Sequence, residues 1–120
     1  MAAAFVRQDG PAGIPVIQGY AAGGWRVSGK LWPGAVLVTP EGVSSLAGIS
    51  ADDLSAVTSD AVELLLVGTG AAMTRPDITL LTTLRARGVS AEFMDSRAAA
   101  RTYAVLANEG RRVGVALLPV

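Results

Sequence analysis

Apolar residues run almost unbroken from Glu63 to Val67 and stop at Gly68-Thr69-Gly70. A run without polar alternation predicts a strand buried on both faces, central in a sheet. Asp77 then stands where a helix N-cap is needed, ahead of Ile78, Leu81 and Leu84 at a spacing of three, and Gly88 ends the helix after the cations Arg85 and Arg87. The same sentence is written again downstream: a strand over Val89 to Met94, a cap at Asp95-Ser96, an Ala-rich helix from Arg97 to Glu109 stopped by Gly110, and a last strand over Val113 to Leu118. In that helix Tyr103, four after Ala99 and three before Leu106, falls on the sheet-facing side with its hydroxyl left to find a partner at the edge.

The first half follows the shorter strand period. Pro15 to Tyr20 and Trp25 to Val27 flank Ala21-Ala22-Gly23-Gly24, and an apolar run over Ala35 to Thr39 follows the Ser28-Gly29-Lys30 turn, which predicts three strands in hairpin order closed by Pro40-Glu41-Gly42. Val43 to Leu46 predicts one more strand. Ser50 is placed to cap a short helix over Asp52, Asp53, Leu54 and Val57, its acids complementing the positive end of the helix dipole. Strands first, then strand and helix in alternation, give an α/β fold: a layered sandwich with a central mixed β-sheet, flanking helices and an N-terminal β-hairpin layer. Residues 1–13, small and punctuated by Gly and Pro, are read as a flexible leader, and 14–120 as a single α/β domain.

Composition removes whole classes of chemistry. With no Cys there is no thiolate nucleophile, disulfide or zinc ribbon, and with no His there is no imidazole base or His-bearing triad among the 120 residues. Ten basic residues balance ten acidic ones, so no nucleic-acid partner is expected, since phosphate binding needs a basic face. The apolar stretches are too short to span a bilayer and Arg7 lies after Phe5 and Val6, the reverse of a signal peptide, so a soluble cytoplasmic protein without membrane insertion is expected. No metal or other cofactor is expected: Asp52 and Asp53 point from different faces of a helix, too far from Asp60 to form a cage.

Four ordered elements carry a resemblance: Ile17-Gln18-Gly19-Tyr20 with Gly24-Trp25-Arg26-Val27; Glu63 through Gly70; Met94-Asp95-Ser96 leading to Arg101-Thr102-Tyr103; and Glu109-Gly110-Arg111-Arg112-Val113. Over about residues 14 to 118 the chain resembles a family of small α/β domains of unknown function that includes the mitochondrial complex I assembly factor 3. That resemblance implies a layered α/β sandwich with an added β-hairpin layer, and action through a protein partner. The family pattern has Asn directly after Arg-Thr-Tyr and often Cys just before it, where this chain has Ala104 and Ala100. A polar group serving chemistry at either place would be missing here.

Two functional readings follow. The first is a non-enzymatic binding or assembly-factor-like domain working through protein–protein contacts or self-association, with Trp32 and Trp25 as partner-contact candidates if exposed and as core if not. The alternative is a small anionic-ligand-binding protein or weak enzyme whose site lies at the strand ends, built from Gly68, Thr69, Gly70, Arg75, Asp95 and Arg101. Arginine would supply a two-donor fork for the anion and Asp95 the base. The same loop imitates a dinucleotide fingerprint, but Met73 holds the third glycine place and Asp77 occupies the helix start that a phosphate needs. Without a ligand, Gly68 and Gly70 serve a close chain crossing, and Arg101 covers the sheet with its stem or pairs with Glu109.

Overall fold

The computed structural model describes residues 13–75 and 77–120. The leader expected over 1–13 lies, Gly13 apart, outside the described residues. Eight strands and two helices form in the order β1 (Ile17–Ala21), β2 (Gly24–Val27), β3 (Lys30–Pro33), β4 (Ala35–Thr39), β5 (Gly42–Leu46), β6 (Leu64–Gly68), α1 (Ile78–Ala86), β7 (Ser90–Met94), α2 (Ser96–Asn108) and β8 (Val113–Leu117).

The strands make two sheets. β1-β2-β3 is an antiparallel meander, and a mixed five-stranded sheet runs β5-β4-β8-β6-β7 with β6 parallel to both β7 and β8. Both hairpin turns of the meander, Ala22-Gly23 and Ser28-Gly29, have positive φ at both central positions (54° and 77°, 49° and 86°), the geometry that matches the natural twist of the flanking strands. The third strand of the meander is Lys30–Pro33, which pairs with β2, and not the expected Ala35–Thr39, which belongs to the five-stranded sheet. Gly34, at φ 75°, separates the two and sends β4 into the other sheet.

Alternation along β6 explains the layers. Leu64 and Leu66 face one cluster with Val36, Val38, Val43, Val115, Ala99, Tyr103 and the tryptophans, whereas Leu65 and Val67 face a second with Leu54, Val57, Leu80 and Leu84. The large sheet is thus covered on one face by α2 and the small sheet side by side, and on the other by α1 and the 50–57 segment. The unbroken apolar pattern of β6 is what two covered faces require.

Three expectations need correction. The segment over Ser50 to Val57 forms a chain of turns, not a helix: Leu54 N–H reaches the Ser50 carbonyl at 3.1 Å, but Ser55 and Val57 bond only three residues back. The capping chemistry is nonetheless there, with the Asp53 carboxylate accepting from Ser50 N–H (3.0 Å) and Oγ (2.8 Å) and Ser50 Oγ accepting from Asp53 N–H (3.1 Å). A single turn carries too few propagating bonds to offset nucleation, and Leu54 and Val57 are buried all the same. Second, α1 buries Leu80 and Leu84, while Ile78 is 71% exposed; the face runs at spacing four. Third, the partner-contact role offered for the tryptophans gives way to the core alternative: Trp25 and Trp32 are both buried, at 1% and 5% exposure, in the layer between the sheets. The exposed aromatic patch anticipated around Trp32 is absent among the described residues, because the meander docks with that face inward.

Candidate functional site

The Gly68-Thr69-Gly70 loop leaves the C-terminal end of β6, where a crevice was expected. Its polar groups are engaged by the protein itself. Thr69 Oγ1 donates to the carbonyl of Ala72 or Met94 (2.7 and 3.2 Å) and accepts from Thr74 N–H at 3.1 Å. Gly70 N–H donates to Ser96 Oγ at 2.8 Å, and Ser96 N–H returns a bond to the Gly70 carbonyl, also 2.8 Å. This reciprocal pair fastens the end of β6 to the start of α2. A Cβ at Gly68 would come within 2.8 Å of Ser96 Cα and 3.0 Å of Leu117 Cδ2, so Gly68 is there for close approach.

The chain's own residues 118–120 fill the space beyond. Leu118 N–H donates to the Gly68 carbonyl at 3.0 Å, Leu118 O accepts from Trp25 Nε1 at 3.2 Å, and the Pro119 carbonyl oxygen stands 3.2 Å from where a Gly70 Cβ would be. Asp95 caps α2, its Oδ1 accepting from Ala98 N–H at 2.9 Å. Arg75 is exposed on the loop. Thr69, Gly70 and Asp95 thus bond the protein's own backbone and Ser96, and Arg75 stands exposed on the loop beyond them.

Arg101 faces a different place. A groove of about 290 Å³ runs between β1 and α2, lined by Ile17, Gln18, Gly19, Tyr20 and Trp25 on the meander side and by Arg97, Ala100, Arg101 and Ala104 on the helix. Of the six strand-end candidates, only Arg101 lines it, together with the partner candidate Trp25. Spacings of three and four along α2 put these four helix residues on one face, next to the stripe of Ala99, Tyr103 and Ala107 that packs on the sheet. Tyr20 and Trp25 meet edge to face with centroids 5.1 Å apart, and Gln18 Oε1 accepts from Gly29 N–H at 2.6 Å, which ties that wall to the hairpin turn. Two guanidinium groups and no carboxylate line the groove, so its electrostatic preference is for an anion.

Next to it, Tyr103 anchors the incoming chain by donating to the Pro15 carbonyl at 3.0 Å. Burial alone pushes its phenol well above the usual tyrosine range. Among the described residues there is no group of three or more His, Cys, Asp or Glu placed to hold a metal ion, and no helix is long and apolar enough to cross a membrane.

Arg101, expected beside the strand-end loop, instead lines this groove with Arg97 and Gln18, two residues that the sequence pattern had not singled out. A signal was available: Arg97 and Arg101 stand four apart on a helix whose intervening positions are small.

The comparisons agree with this architecture. Residues 17–118 match the family model described as protein of unknown function (DUF498/DUF598). A protein of Rhodobacter capsulatus is 43% identical over 116 residues, covering 95% of this chain and 92% of its own. The human NADH dehydrogenase [ubiquinone] 1 alpha subcomplex assembly factor 3 is 33% identical over 110 residues, which are 86% of this chain and 60% of that one. A crystal structure from Bordetella parapertussis superposes with a TM-score of 0.79 at 38% identity, covering 89% of this chain and 97% of that one.

Proposed function

Because the chain belongs to the DUF498/DUF598 family, whose members include complex I assembly factor 3, we propose that it is a non-enzymatic, assembly-factor-like module that acts by holding a protein partner. The observation that carries this reading is the engagement of the polar groups at the strand ends. Thr69, Asp95 and Ser96 each hold the protein's own backbone, while the arginines of the β1/α2 groove face outward. Groups already spent on caps and strand-end bonds are poorly placed to reach a substrate, since acid–base chemistry acts over roughly 3 Å. Outward-facing cations beside an apolar floor suit recognition. The chain spans 60% of the length of the human assembly factor, so only the shared region bears on this proposal.

The test is capture of the tagged chain from its own cells with chemical cross-linking, read by native and cross-link mass spectrometry. A partner chain in fixed stoichiometry, cross-linked to this domain, is the expected outcome. A chain that never cross-links to another protein and instead carries a small molecule would replace this reading with ligand binding.

A further inference from the structure

We propose that the groove between β1 and α2 receives a short, extended, acidic segment of a protein partner: two carboxylates in alternate positions meet Arg97 and Arg101, and an apolar side chain lies on the floor of Ile17, Tyr20, Trp25, Ala100 and Ala104. The inference rests on the partner-binding reading above and adds the place and the chemistry of the contact.

Charge complementarity selects the occupant. The lining holds two exposed arginines and no acidic residue, so an anion entering it meets attraction without a like charge among the lining side chains to oppose it. Residues one turn apart on a helix present their side chains roughly 5–6 Å from each other. In an extended chain, side chains two positions apart lie on the same side at a separation of roughly 7 Å. Two such carboxylates can each take a bidentate guanidinium, with the apolar residue between them turned the opposite way, onto the floor.

Shape points the same way. A volume of about 290 Å³ sits at the lower end of small-molecule sites and accommodates a few side chains, not a folded surface. The floor stays open because Ala100 and Ala104 stand where longer side chains would close it. The opposite wall is the end strand of the meander: among the described residues β1 pairs with β2 alone, and Gly19, which has no side chain, brings its backbone to the groove. A peptide lying there has the end strand of the meander on one side and the arginines of α2 on the other. The register irregularity between Ile17 and Gly19 keeps any added strand short.

The probe is a synthetic peptide of about eight residues with a central Asp-Leu-Asp in a neutral carrier, long enough to cross the groove at about 3.3 Å per residue. Its control replaces both Asp by Asn. Binding is followed by amide chemical shifts of the 15N-labelled chain at up to about 1 mM peptide, a range suited to weak contacts. Shifts confined to Gln18, Gly19, Tyr20 and the Arg97–Ala104 part of α2 are expected, with at least tenfold weaker binding by the Asn peptide and by Arg97→Gln/Arg101→Gln. Both arginines are exposed, so that variant folds, which circular dichroism checks. Ala104→Leu, also at an exposed position, fills the floor and abolishes binding while both arginines remain.

Equal binding of the Asn peptide, shifts elsewhere, or no shift at about 1 mM overturns the inference. So does a short single-stranded DNA that produces the same shifts more strongly. Carrying the double variant through the capture experiment separates the two proposals. A partner retained by the variant removes the groove and leaves the partner-binding reading standing; no partner for the unaltered chain, with peptide still bound, does the reverse.

Discussion

The two tryptophans, paired across β2 and β3, show how far burial alone fails to describe a residue. Trp25 Nε1 donates to the Leu118 carbonyl at 3.2 Å, whereas Trp32 Nε1 is buried with no hydrogen-bond partner. An unsatisfied buried donor costs roughly 1–3 kcal/mol, so removing it offsets part of the packing lost with the larger ring. Trp32→Phe is therefore expected to change stability by less than about 1 kcal/mol, and Trp25→Phe, which orphans a carbonyl as well as losing volume, to cost about 2–3 kcal/mol. Urea midpoints of the two variants check this, and equal losses would sink the argument. Besides the lost packing, the Lys30 ammonium, 4.6 Å from the Trp32 ring centre, works against the exchange, by about 0.5–1 kcal/mol for an exposed cation.

At the scale of elements, α2 is held at its N-terminus by groups readable in the sequence and along its middle by one that is not. Asp95 caps it as its place ahead of the apolar stripe predicts, and Ser96 adds the bond to Gly70. Tyr103, by contrast, bonds a carbonyl 88 positions earlier, which no local pattern specifies. That bond has a pH signature. The phenol's folded-state pKa is raised by burial while the unfolded chain titrates near the ordinary value of about 10. Above pH ~10 the unfolded state therefore binds fewer protons than the folded one, and stability falls as pH rises. Below that pH this group contributes no slope. Chemical denaturation between pH 8 and about 11 is expected to show a steeper alkaline decline for the unaltered protein than for Tyr103→Phe; matching slopes would overturn the assignment.

For the whole molecule, the small sheet and α2 share one cluster with the large sheet, so neither layer has a core of its own. Both tryptophans lie in the meander, and most of the regular backbone lies in the large sheet and helices. Tryptophan fluorescence therefore reports on one layer and far-ultraviolet dichroism on the other. The two signals should unfold at the same urea concentration, as expected of one cooperative unit. A fluorescence transition that runs ahead would mean that the meander detaches separately.

Local chemistry by itself determined where the strands and helices of the second half begin and end. The double-sided burial of β6, the Asp77 and Asp95 caps and the glycine stops act over a few residues, and such signals are legible wherever the partner of a group is near in sequence. Local chemistry also determined that no thiol or imidazole mechanism is available. Only the tertiary structure decided that Ser50 to Val57 stays a turn, that Trp32 faces inward, and that Arg101 belongs to a groove with Gln18 and Tyr20 and not to the loop at Gly68. Each of those depends on which distant surface is left to be covered once the sheets are stacked. A groove between β1 and α2 joins residues some 80 positions apart, and the energy that places them together is side-chain burial summed over a whole layer, a quantity that no short stretch of sequence contains.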